Sequence, residues 1–448
     1  MHNRRLGRVA FILFLLGLGS ETKTYIYGCL AFSEFVVFVA APILLLKQYA
    51  QFRKCGLLQP IGMIIGLMIA MLVSSWINDT PIPFVIKSFA VMYGVLSYYI
   101  VLSHLLKANP KGLGWFFVGY ALSCFITIFA FNPQAIVSVD GSGFIGDAEA
   151  DDIINGPLFW VQKLKAIWQI PIMGWYLQTP LAYSMTVPIA YTIFLMFTTI
   201  SGRSASLSAL FGVALMFLGR RSRRSMRTVS RHFFLVVFSG LVVALAYKAV
   251  YGYAAGNGIL GTDAQTKYEG QTKAGHGLLA MLMSGRKEFF MAIPAALDNP
   301  IWGYGPHAED KNEYALRFLF KYGDDLDVAK YQAAVQIARQ VGFRMLIPSH
   351  SHIMGAWVHY GIFGLIFYCW LLFVIYRHLR KYVHVIPQWY GYFSIWIGVY
   401  LWHIFFSSPG SRVMLGMFIA TLFVAKAVGD GRVQLPYELE MEARKHDR

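Results

Sequence analysis

The chain has 448 residues, 57% of them hydrophobic and 14% charged. A soluble domain of this size carries about a quarter charged residues. Apolar runs of about 18–22 residues recur from end to end, each long enough to cross roughly 30 Å of hydrocarbon. This excludes a soluble enzyme, and it excludes a β-barrel, whose spans are alternating segments of about ten residues. The formal charge of +16 belongs to short basic loops that orient the spans, not to a nucleic-acid surface.

In chain order, Met1-His2-Asn3-Arg4-Arg5 before Val9–Leu18 imitates a signal peptide. It lacks a small-x-small cleavage site, so an uncleaved first span is expected. Spans are expected at Val9–Ser20, Tyr25–Leu46, Leu57–Ile77, Phe84–Leu106, Leu113–Phe131, Leu181–Ile200, Ala205–Leu218, Phe233–Tyr251, His352–Tyr376, Trp389–Phe406 and Val413–Val428. The basic tract Arg220–Arg227, with Lys47–Lys54, Lys107–Lys111 and Arg377–Lys381, should face the cytoplasm. Parity then requires one more crossing, and Pro157–Tyr176 is the candidate, although it contains Lys163, Lys165 and Pro171. The expected fold is an all-α, polytopic transmembrane helical bundle of about twelve spans with both termini inside. It divides into an N-terminal bundle (1–251), a large external loop (252–349) and C-terminal helices with a cytoplasmic tail (350–448). Within the loop, Asp327–Arg339 reads as a helix with an apolar face of Val328, Tyr331, Val335 and Ile337. Cys29, Cys55, Cys124 and Cys369 show neither metal spacing nor a disulfide framework.

The expected orientation collects a polar set on the outer face. Arg203, in Ser201-Gly202-Arg203-Ser204, lies at the outer end of two spans, and Arg286 lies in the loop. Each has an ordinary role, snorkelling to headgroups or solvation in a loop. Each also suits phosphate, because guanidinium pairs bidentately and stays charged in a partly apolar site. His350 closes the loop in Pro348-Ser349-His350-Ser351-His352. An imidazole there is either satisfied by a backbone carbonyl or is a base able to take a proton from an acceptor hydroxyl near neutral pH. His352 and His359 compete with it. Tyr304 and His307 sit in the turn Gly303-Tyr304-Gly305-Pro306-His307 and are candidates to touch sugar. Gly361 and Gly364 point first to close helix packing. Asp324-Asp325-Leu326-Asp327 resembles a glycosyltransferase metal motif but reads first as an acidic turn before a helix.

His350-Ser351, the nine residues His352–Tyr360, and Gly361-Ile362-Phe363-Gly364 match a pattern of His, then Asn, Ser or Gln, then nine residues and Gly-x-x-Gly. In this the chain resembles the O-antigen ligase and polymerase superfamily of bacterial envelope proteins. The Ser-Gly-Arg203 element, Gly285-Arg286 and the turn from Pro300 to Gly305 are similar to that family too, over most of Leu181–Phe373. The resemblance implies a GT-C-like membrane glycosyltransferase of the inner membrane, active on the periplasmic side. It implies an undecaprenyl-diphosphate-linked glycan as donor, a glycolipid or glycan acceptor, and neither cofactor nor required metal. Arg203 and Arg286 would hold the diphosphate, and His350 would act as base or position the acceptor. The loop aligns with no single branch. The acceptor therefore stays open among lipid A–core (ligase), a second lipid-linked repeat (polymerase) and a protein side chain. From other classes, a lipid-linked glycan transporter and a non-catalytic assembly partner share the spans and basic residues. Glu34 is the main mid-span charge that a transporter reading could use.

Overall fold

The computed structural model describes residues 2–20, 23–24, 30–130, 252–254, 256–259, 265, 287–322, 325–340, 345–349, 351–383, 385–386, 389–406 and 412–434. The spans expected between 157 and 251 lie outside these residues, as do Arg203, Arg286 and His350. The described helices are α1 (His2–Leu18), α2 (Phe32–Lys54), α3 (Leu58–Ile77), α4 (Ile82–Ala108), α5 (Gly112–Ala130), α6 (Lys287–Asp298), α7 (Tyr314–Tyr322), α8 (Asp325–Gln340), α9 (His352–Lys381), α10 (Tyr390–Phe406) and α11 (Arg412–Gly429). Among them α2, α3, α4, α9 and α11 are long and apolar enough to cross a membrane, and α1, α5 and α10 hold shorter apolar stretches. The chain is a helical membrane protein.

The second span differs from its expected position. Strand β1 (Lys23–Thr24) pairs antiparallel with β2 (Leu30–Ala31), and α2 opens only at Phe32 and runs to Lys54. Apolar residues lie on both sides of this boundary, and Ser33-Glu34, which interrupts them, marks the helix start through a local hydrogen bond. The Glu34 carboxylate accepts from the Ala31 N–H at 2.9 Å, which satisfies a donor at the helix start. Glu34 is thus a first-turn residue of α2. It is 1% exposed and pairs with Arg412 at the start of α11, at 2.9 Å.

Helices approach closely where side chains are small. A Cβ on Gly17 of α1 would fall 2.1 Å from the Phe116 carbonyl of α5, and one on Gly119 would fall 2.1 Å from the Phe14 carbonyl. These reciprocal glycines let the two backbones touch. On the other side, Gly416 of α11 lies against Val95 and Tyr98 of α4.

The basic loops among the described residues gather at one end of the bundle. There the Trp389 indole N–H donates to the Pro110 carbonyl at 3.0 Å, and the Tyr382 hydroxyl donates to Asp430 at 2.8 Å. Gly56 lies against Arg432, and the Asn109 amide donates to the Leu6 carbonyl at 3.1 Å. Contacts therefore place Lys54, Lys107, Lys111 and Lys381 at one end of the described helices. The loop segments around α6, α7 and α8 lie at the opposite end. There Tyr331 is buried, with Val328 and Val335 packed beside it, against Met291, Ala315 and Leu319.

Candidate functional site

Helix α9 begins at a serine with two duties. Ser351 has extended backbone, and its hydroxyl oxygen accepts from the Met354 N–H at 3.2 Å as an N-cap. The same hydroxyl donates to the Ile404 carbonyl of α10 at 2.9 Å, and the residue is fully buried. Upstream, the Asp310 N–H donates to the Met345 carbonyl at 2.8 Å, and the Ile347 N–H donates to the Ala308 carbonyl at 3.0 Å. The chain on both sides of position 350 is therefore tied down, at Ile347 and at Ser351.

At its tenth residue α9 breaks. Gly361 has φ +62° and ψ −151°, a region reached essentially only by glycine. A Cβ there would lie 1.9 Å from the Ile301 carbonyl. The break frees backbone groups, and the turn after α6 takes them up. The Tyr304 N–H donates to the Val358 carbonyl at 2.8 Å, and the Gly305 N–H donates to the His359 carbonyl at 3.0 Å. The Ile362 N–H donates back to the Ile301 carbonyl at 3.2 Å. Gly364 is needed as well, since its Cβ would meet the Ala356 carbonyl at 2.1 Å. Helix α3 closes the junction. The Ser74 hydroxyl donates to the His359 carbonyl at 2.8 Å, and the Asn78 amide donates to the Gly303 carbonyl at 3.0 Å. The Asn299 amide donates to that same carbonyl. From Gly361 to Lys381 is about 30 Å at 1.5 Å per residue, roughly one hydrocarbon thickness above the basic end. The break thus falls where irregular backbone is tolerated, buried in protein at the membrane edge.

The histidines divide by environment. The His359 Nδ1 lies 3.0 Å from the Gly305 carbonyl, which only accepts, so Nδ1 carries the proton. His352 is 3% exposed, with its ring 5.6 Å from Tyr368 and 6.0 Å from His403. His307 is half-buried with φ +54°, its ring 5.1 Å from Phe84 of α4. Burial, then the nearby Lys87 ammonium, pushes its imidazole below the ordinary 6.5. Next to it, Asp310 accepts from the Tyr314 and Ala315 N–H groups at 2.8 and 3.0 Å and so fixes the start of α7. Burial raises its carboxyl above the ordinary 3.8, with those hydrogen bonds opposing.

The structure brings Tyr304 and His307 to the junction and places His352 in an aromatic cluster beneath the start of α9. It seats His359, which the sequence offers as a competitor of His350, on the Gly305 carbonyl, and it adds Ser74, Asn78 and Asn299 as positioning residues. Their signal in the sequence was a polar cluster, Ser74-Ser75 and Asn78-Asp79-Thr80, ending an apolar span, and Asn299-Pro300 before the Gly-x-Gly turn. Asp325 opens α8. Among the described residues no group of three or more His, Cys, Asp or Glu side chains is placed to hold a metal ion. No family model, no curated protein and no solved structure matches the chain.

Proposed function

We propose that this chain is a glycosyltransferase of the bacterial inner membrane. It moves a glycan from undecaprenyl diphosphate to an acceptor hydroxyl on the periplasmic face, without metal, and its leading acceptor is lipid A–core, as in an O-antigen ligase. One observation carries this reading. In the pattern His350-Ser351-x9-Gly361-x-x-Gly364, the serine caps and anchors α9, and both glycines permit its break. Architecture accounts for three of the four fixed residues and leaves the histidine for chemistry. In the proposed step His350 takes the proton of the acceptor hydroxyl. The hydroxyl oxygen attacks the anomeric carbon and inverts it, while the bond from that carbon to the diphosphate oxygen breaks. The diphosphate leaves with the electron pair, and Arg203 and Arg286 neutralise its growing charge.

The test is product identification. Purified protein in liposomes receives an undecaprenyl-diphosphate glycan with lipid A–core, a second lipid-linked repeat and a polypeptide in turn. Covalent glycan on lipid A–core is the expected product. Elongated lipid-linked glycan would replace the ligase reading by a polymerase. Labelled donor crossing the bilayer with no covalent product would overturn transfer and leave a transporter.

A further inference from the structure

The turn carries a directed chain of hydroxyls that the proposed step does not use. The Tyr314 hydroxyl donates to the Asp298 carboxylate at 2.6 Å and accepts from the Asn312 amide at 2.8 Å. It also lies 2.7 Å from the Tyr304 hydroxyl. A phenol has one proton, and that of Tyr314 is given to Asp298. The Tyr304 hydroxyl must therefore donate to Tyr314, and its own oxygen is left an acceptor. Among the described residues none donates to that oxygen. Tyr314 is 3% exposed while Tyr304 is only half-buried, so the chain runs from a buried phenol out to an accessible one. Burial foremost, then the bond to Asp298, raises the Tyr314 phenol well above its ordinary value and keeps it a donor. The backbone of Tyr304 is fixed on the Val358 carbonyl, inside the Gly361 break. The ring thus has a set position, and the hydroxyl has a set proton direction.

Building on the proposed glycan transfer, we infer that Tyr304 is a glycan-positioning residue: the Asp298–Tyr314 pair orients its hydroxyl so that the phenol oxygen accepts a hydrogen bond from one sugar hydroxyl. A ring hydroxyl of a sugar is a donor of the required kind, and a phenol whose proton is committed elsewhere cannot compete for it as a donor. The arrangement selects for a hydroxyl at one sugar position and against its replacement by hydrogen, because the acceptor would then be left unpaired.

The test uses a monodeoxy series of one undecaprenyl-diphosphate-linked trisaccharide, with binding and transfer measured separately on the purified full-length protein. In wild type, one deoxy analogue should bind roughly five- to tenfold more weakly than the parent. Tyr304→Phe should bind the parent weakly by the same factor and show no further loss with that analogue, the non-additivity of a direct contact. Asp298→Asn, at an exposed position, should show the same selective pattern in smaller degree with an unchanged thermal midpoint. A Tyr304→Phe protein that loses affinity equally for every member, or for none, overturns the assignment while transfer by wild type still stands. A wild-type protein that neither binds nor transfers the parent glycan overturns the glycosyltransferase reading itself, and the Tyr304 assignment with it.

Discussion

His307 shows how one side chain can tie the junction to pH. Its φ of +54° is unusual for a residue with a Cβ, and its ring packs on Phe84. The packed imidazole prefers to be neutral, with its value held below 6.5 by burial and by Lys87. The sign follows from linkage: between the folded value and 6.5 the unpacked state binds more protons. The turn is fully favoured above 6.5 and loses support as the pH falls below it. Lowering the pH from about 7.5 to about 5.5 should therefore depress the thermal midpoint of wild type more than that of His307→Asn. Asparagine keeps the positive φ without the titrating ring. Equal depression in both proteins would remove His307 as the sensor. The sequence marked His307 and Tyr304 as a turn beside possible sugar contacts. It could not show Phe84, Lys87 or Tyr314, which the fold brings in from other elements.

At the scale of elements, the central object is the broken α9 with the turn of residues 299–305 stitched into it. A broken helix in a membrane requires partners for its freed carbonyls and N–H groups. Here the turn, Ser74 and the backbone of Ile301 supply them. Gly361→Ala should cost roughly 3 kcal/mol or more, since it combines a glycine-only backbone conformation with a Cβ inside the Ile301 carbonyl. Ala introduced at Gly66 of α3, where a Cβ meets nothing within 4 Å, is the control and should be near neutral. Denaturation midpoints of the two variants decide the matter; equal midpoints would contradict the stitched break. The extent of α3, α4 and α9 was legible because apolar runs bounded by turn residues or charges define a span. The start of α2 was not, because apolar residues flank it on both sides and Ser33-Glu34 reads as a polar break inside a span until the Glu34 bond to the Ala31 N–H makes it a helix start. The Gly-x-x-Gly spacing was legible as close packing. Its partner was not, because Ile301 and Gly303 lie in a loop that hydropathy leaves undefined.

At the scale of the whole molecule, the basic loops define one end and the junction defines the other. Cysteines introduced at Lys54 and Asp79, both exposed and at opposite ends of α3, should be labelled from opposite sides of intact membrane vesicles. Labelling of both from one side would invalidate the arrangement. The end away from the basic loops is where the proposed chemistry belongs, and there Ile347 and Ser351 are each hydrogen-bonded to a neighbouring segment. The measurement that bears most directly on that chemistry is transfer from undecaprenyl diphosphate by purified His350→Ala and Arg286→Ala proteins in liposomes. Both should insert and fold as wild type does, by thermal midpoint and by the Lys54 and Asp79 labelling pattern, and both should lose transfer. Near wild-type transfer by folded His350→Ala would contradict the account.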